Sequence, residues 1–130
     1  MASKGTLRPT AGELEILRVL WKLGPSTVRD VHERIRTRRR TAYTTTLKMM
    51  QLMAEKGLLS RDDSSRTHVY SAALGEKKAQ QGLVRDLLER AFGGSAEKLV
   101  VRALSAKKVS ADELARIRAL LDEMERSRNR

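Results

Sequence analysis

The chain has 130 residues, with 27 Lys+Arg against 16 Asp+Glu, a formal charge of +11, 3% aromatic residues and no cysteine. Without cysteine there is no disulfide framework, zinc–thiolate site, iron–sulfur cluster or cysteine nucleophile. The longest uncharged stretch, Thr67–Gly75, falls far short of the roughly 18 apolar residues of a membrane span, and the start MASKGTLRPTAGE lacks the apolar segment of a signal peptide, so the expectation is a basic cytoplasmic protein with a polyanionic partner and no membrane.

Helix signals begin at Thr10. Thr10-Ala-Gly-Glu13 fits a capping box, in which hydroxyl and carboxylate each satisfy an exposed backbone N–H. Leu14, Leu17, Leu20 and Trp21 then recur at helical spacing until Gly24-Pro25 stops the run. A second helix starts at Ser26 or Thr27 and carries the apolar stripe Val28, Val31 and Ile35 into the basic loop Arg36–Arg40. A third occupies about Ala42–Lys56 and ends at Gly57, a left-handed cap. Its inner face reads Leu47, Met50, Met53 and Ala54, and its first turns expose Tyr43, Thr44, Thr45 and Lys48. Leu58–Arg61 and Arg66–Tyr70 have strand composition around the turn-forming centre Asp62–Ser65, which predicts a β-hairpin.

The remainder is predicted to be helical. Lys77–Phe92 carries Leu83, Val84, Leu87, Leu88, Ala91 and Phe92, an apolar face too broad to stay in water, and Gly93-Gly94 ends it. Ala96–Leu104 follows, with Leu99, Val100 and Val101. Ser110-Ala-Asp-Glu113 reads as a second capping box, opening a helix with the a/d-like stripe Leu114, Ile117, Leu121 and Met124. The first eight residues and the last five are expected to be loosely held.

Charge is unevenly spread. Between Glu33 and Glu55 there is no carboxylate, while Arg34, Arg36, Arg38, Arg39, Arg40 and Lys48 fall in that window. Such a run is either a solvated loop or the footprint of a polyanion. Three helices followed by a hairpin is the order of a winged helix-turn-helix, in which one helix shows polar side chains to the major groove and buries its rear. Tyr43, Thr44, Thr45 and Lys48 suit the base-facing role, although Tyr43 could equally pack under the hairpin. Arg38, Arg39, Arg40, Arg61 and Arg66 suit the phosphate and wing contacts. Ser26 and Thr27, at a helix N-terminus, suit phosphate anchoring. The fold class expected is therefore mainly α with a small hairpin. Residues 1–75 are expected to form a winged-helix DNA-binding domain and residues 76–130 a helical dimerisation region.

The chain resembles the penicillinase-repressor (BlaI/MecI-type) family of bacterial winged-helix regulators. The matching stretches are Glu13–Trp21 (ELEILRVLW), Thr27–His32 (TVRDVH), Ala42–Leu59 (AYTTTLKMMQLMAEKGLL), Val69-Tyr70, Ala91–Gly94 (AFGG), Leu99–Val101 (LVV) and Ser110–Leu121 (SADELARIRALL). The resemblance implies a homodimer that represses transcription from pseudo-palindromic operators on double-stranded DNA. It carries the base-facing role to Tyr43, Thr44, Thr45 and Lys48, and wing contacts to Arg66 and its neighbours. It also places dimerisation in the C-terminal helices, where Leu83, Leu87, Phe92, Leu99, Leu114, Ile117, Leu121 and Met124 supply the apolar stripes. A tail so short with so broad an apolar face needs either a partner subunit or its own winged helix to cover it.

Two family switches are missing. The Asn-Phe bond at which the best-known members are cleaved corresponds here to Arg102-Ala103, and the cysteine-rich tail of the copper-responsive branch cannot be built. A sensor or protease partner is left open. No cofactor, metal site or enzyme activity is expected: His32 and His68 sit in no triad or metal spacing, and Asp62-Asp63 beside His68 falls in a turn, where aspartates usually shape the backbone. The competing reading is a sequence-tolerant nucleoid- or RNA-associated protein. Against it stands the shortage of the aromatic platforms that RNA readers use.

Overall fold

The computed structural model describes residues 8–129, which form six helices and one hairpin. Helix α1 (Ala11–Leu23) opens on a complete capping box. The Thr10 hydroxyl accepts from the Glu13 amide at 3.2 Å and the Thr10 amide donates to Glu13 Oε1 at 2.9 Å. Helix α2 (Val28–Arg36) opens the same way, on Thr27 and Asp30. Helix α3 (Tyr43–Lys56) starts without any side-chain cap and stops at Gly57, whose φ of 89° is left-handed and favours glycine.

The hairpin pairs β1 (Leu59–Asp62) with β2 (Val69–Ala72) in antiparallel register, Leu59 opposite Ala72 and Asp62 opposite Val69. The second strand thus begins three residues later than the sequence suggests, and Arg66 lies in the loop. The aspartates shape that loop. Asp62 accepts from the Ser64 amide at 2.9 Å, which holds its carboxyl below the ordinary value, while Asp63 pairs with Arg61 at 2.8 Å.

One core joins these elements. Ile16, Leu17 and Leu20 of α1 meet Val28, Val31 and Ile35 of α2, Met50 and Met53 of α3, then Leu58, Leu59, Tyr70 and Leu74, all buried. Ala79 of α4 (Glu76–Ala91) closes it. Burying such side chains is worth about 1.5–3 kcal/mol each, which is what holds three short helices against a two-stranded sheet. Trp21 is half-buried and packs against this core, its indole N–H donating to the carbonyl of buried Leu74 at 3.0 Å. The rear of α3 also differs from its predicted form. Thr46 is buried, whereas Leu47 and Ala54 are half-buried and pack at the rim.

The chain divides into two compact units, the first ending at Asp86 and the second beginning at Leu87, so the division falls within α4. In the second unit, α4 stops at Gly93 and Gly94, both of positive φ. Helix α5 (Ala96–Ser105) is capped by Ser95, and α6 (Ala111–Arg128) by Ser110, whose hydroxyl accepts from the Glu113 amide at 3.1 Å. The Glu113 carboxylate makes no return bond, so this second box is half-formed. No residue of α5 or α6 is buried.

Helix α6 runs to Arg128, with Arg126 paired to Glu123 at 2.7 Å, so Arg126–Arg128 are helical. At the other end Arg8 pairs with Asp86. The looseness expected of residues 1–7 and of residue 130 lies outside the described residues. No helix among the described residues is long and apolar enough to cross a membrane.

Candidate nucleic-acid interface

Helix α3 carries the polar surface. Tyr43, Thr44, Thr45 and Lys48 are all exposed, while Met50 and Met53 anchor the opposite side at zero accessibility. The amides of Thr45 and Thr46 fold back on the Ala42 carbonyl, but no side chain caps the helix start. Its first N–H groups and the positive end of its dipole are therefore left for an external acceptor.

A polar linkage fixes α3 against α2. His32 is buried, and its Nδ1 shares a hydrogen bond of 3.1 Å with the hydroxyl of buried Thr46. The same imidazole meets the Tyr43 ring edge-on, with centroids 5.5 Å apart and planes at 89°. On the outer side the Arg29 guanidinium lies 5.4 Å from the Tyr43 ring centroid, a cation–π distance. Tyr43 thus packs against α2, on the wall of a groove it shares with the hairpin. Its ring is aimed by His32 behind and Arg29 in front.

Between α2, α3 and the hairpin lies a groove of about 460 Å³, lined among others by Thr27, Arg29, Tyr43, Gln51, Arg66 and His68. It brings together three of the residues singled out from sequence: Thr27 at the α2 start, Tyr43 at the α3 start and Arg66 on the wing loop. Thr44, Thr45 and Lys48 lie on the adjoining face of α3, along a second groove with Met49 and Leu52.

Other expected contacts are engaged elsewhere. Ser26 is buried. Its hydroxyl donates to the Gly24 carbonyl at 2.8 Å, its amide to the Tyr70 carbonyl at 2.9 Å, and its carbonyl accepts from the Tyr70 amide at 2.7 Å. It stitches the start of α2 to the sheet, and Thr27, not Ser26, caps the helix. Arg39 grips Glu15 with a two-pronged hydrogen bond at 3.0 and 2.8 Å. Arg38 and Arg39 both face α1 and not the groove beneath the wing. Tyr70 and Asp63 hold the Arg61 guanidinium in its charged form, with a raised pKa. Arg40 is exposed in the α2–α3 loop.

Arg29 and His32, which set the position of Tyr43, both lie in the TVRDVH stretch but fall outside the site residues read from sequence. The spacing of Arg29 on the solvent side of Val28 and Val31 was a usable signal. The His32–Thr46 bond was not, since nothing in either segment announces its partner.

An exposed polar helix start backed by a buried apolar face, with a basic wing beside it, defines a winged-helix DNA-binding protein. The chain belongs to the penicillinase repressor family, whose sequence model matches residues 9–123. It is similar to the transcriptional regulator BlaI of Mycobacterium tuberculosis, at 36% identity over 88% of this chain and 84% of that protein. It is also similar to the penicillinase repressor of Bacillus licheniformis, at 22% identity over 85% of this chain and 87% of that protein. A MarR family protein from Bacillus stearothermophilus shares the fold, with a TM-score of 0.50 at 16% identity, covering 93% of this chain and 76% of that one.

Proposed function

We propose that this DNA-binding transcriptional repressor acts in the cytoplasm as a homodimer on a pseudo-palindromic operator, with α3 of each subunit in a major groove. The observation that carries the reading is the pre-set start of α3: uncapped amides, Tyr43 clamped between Arg29 and His32, and Thr44, Thr45 and Lys48 open to solvent. Thr44, Thr45 and Lys48 then reach base edges, where a good bidentate contact is worth about 1–3 kcal/mol of discrimination and a single bond less. Thr27, Arg29, Arg40 and Arg66 hold the phosphates, and Arg61 supports the wing. Two subunits related by a two-fold axis set their α3 helices about 34 Å apart, or a multiple of it. The C-terminal apolar stripes, including exposed Leu83, Leu87, Leu114, Leu121 and Met124, form the subunit interface.

Release from the operator is proposed to proceed without cleavage at the family's position, where Arg102-Ala103 replaces the Asn-Phe pair. Arg102-Ala103 lies within α5, in hydrogen-bonded helix and not extended chain. The decisive experiment selects bound duplexes from a random pool with the full-length protein. A palindrome with half-sites one or two turns apart is expected. Equal affinity for the selected site and for random duplex would sink the repressor reading in favour of sequence-tolerant binding.

A further inference from the structure

A second basic groove lies at the far end of α2. It sits between α1 and the C-terminal turns of α2, has a volume of about 270 Å³, and takes Arg18, Lys22, Arg34, Arg38 and Thr37 into its walls. Among the described residues none of these four cations makes an ion pair. The carboxylate on the wall, Glu15, is already held by Arg39 through 2.8 and 3.0 Å bonds. Arg18 and Lys22 are one helical turn apart on α1, and like charges at that spacing destabilise a helix. Packing alone gives no reason to gather four unneutralised cations round one cavity, whereas such a cavity focuses field on an anion entering it.

We infer that this groove is a binding site for a small phosphorylated ligand, separate from the operator surface. Three arginine forks match phosphate oxygens two at a time, which a lone lysine patch does not. The volume is just under the roughly 300 Å³ lower end of ligand pockets, which suits a phosphate or diphosphate group and not a large organic body. Half-buried Val19 and buried Ile35 give the groove an apolar floor, so the anion sits against surface that strengthens each charge contact. DNA backbone is the other source of phosphate, and placement argues against it. The groove beneath the wing uses Thr27 and Arg29 at one end of α2 and is walled by the hairpin, whereas this one uses Arg34 and Ile35 at the other end, about 8 Å along the axis from Arg29 to Arg34, and is walled by α1, with no lining residue in common. Arg38 accordingly belongs to this site and not to the operator contacts.

The inference goes beyond the repressor reading, and its first measurement needs no operator. Inorganic pyrophosphate is titrated calorimetrically into the full-length protein at constant ionic strength. One molecule per chain is expected to bind, and the Arg18→Gln/Arg34→Gln variant should lose at least about ten-fold in affinity, about 1.4 kcal/mol. Lys22→Gln alone should lose less, and Lys107→Gln, an exposed cation between α5 and α6, should bind as the wild type does. The helical circular dichroism and melting temperature of each variant, compared with the wild type, establish that it is folded, and Lys22→Gln supplies the reading if the double variant is not. Absence of pyrophosphate binding, or binding undiminished in folded variants, overturns the site. Loss of operator affinity in Arg18→Gln/Arg34→Gln with pyrophosphate binding intact also overturns it, by returning these cations to the DNA backbone.

Discussion

The start of α3 depends on one buried polar pair. Thr46 stands at a core position of α3, where an apolar side chain of the same shape would pack equally well, and its hydroxyl instead bonds His32. Thr46→Val keeps the shape and leaves the imidazole nitrogen without a partner in a dry site, at a cost of about 1–3 kcal/mol. Removing both members with His32→Leu and Thr46→Val together should cost less than the sum of the single changes, with a coupling of about 0.5–3 kcal/mol in urea unfolding. Additive losses would show that the bond contributes nothing.

Glu13 makes the second residue-scale case. Burial pushes its carboxyl up, but the hydrogen bond from Lys56 at 2.6 Å, the Thr10 bonds and the Lys56 charge together outweigh this and hold it below its ordinary 4.5. A carboxyl depressed by folding adds stability above its unfolded value, and that stability is lost as pH falls through the folded one. Glu13→Gln should therefore cost about 1–2 kcal/mol near neutral pH, in the range of a lost cap. The gap to the wild type should shrink as pH is lowered below 4.5. A gap that is constant with pH in parallel unfolding curves would assign the loss to packing.

Among the elements, α3 and the wing divide affinity from discrimination. Arg66 lies in the hairpin loop on the edge of the groove shared with Arg29, and Lys48 projects from the exposed face of α3. Arg66→Gln is expected to weaken all duplexes alike and to flatten the salt dependence by about 0.9 in log–log slope, one phosphate contact. Lys48→Ala should relax preference at particular operator positions and change the others little. Uniform weakening by Lys48→Ala across sequences, measured by competition gels, would reclassify it as a phosphate contact.

The elements themselves were legible because each carries local punctuation. Thr10 and Glu13, Gly24-Pro25, Gly57 and Gly93-Gly94 bracket helices wherever periodicity is read, and α1, α3 and α4 lie where these marks put them. What stayed illegible needed a partner distant in sequence. Ser26 looked like a helix cap until Tyr70 paired with it across the fold. Arg39 looked like a free cation until Glu15 was brought beside it. The Arg61–Tyr70 pairing pulled the second strand three residues later than composition alone suggested, because strand register is set by the partner strand as well as by side-chain type. The carboxylate-free window was a true feature of the sequence, but folding splits it. Lys48 goes to the α3 face, while Arg34 and Arg38 turn towards α1.

At the scale of the whole molecule, the apolar surface of the C-terminal helices requires an explanation that a lone chain does not supply. On α6, Leu114, Leu121 and Met124 are exposed, Met124 to 67%, and half-buried Ile117 lies on the same stripe at helical spacing. Leu83 and Leu87 repeat the pattern on α4, and half-buried Phe92 and Leu99 flank the Gly93-Gly94 turn. A soluble chain rarely leaves several large side chains in line facing water, since each forfeits about 1.5–3 kcal/mol of burial. A two-fold partner offering the same stripe removes that cost on both sides at once. Leu114→Glu and Leu121→Glu each set a pair of like charges into such an interface, and both variants should sediment as monomers at concentrations where the wild type is a dimer. The monomers should retain weak, salt-sensitive binding to a single half-site, because the winged helix keeps its own core. Operator affinity should fall steeply, since the second α3 is no longer delivered at high effective concentration. Survival of the dimer in both variants would move the interface away from α6, and unchanged operator affinity in true monomers would show that one winged helix suffices for the site.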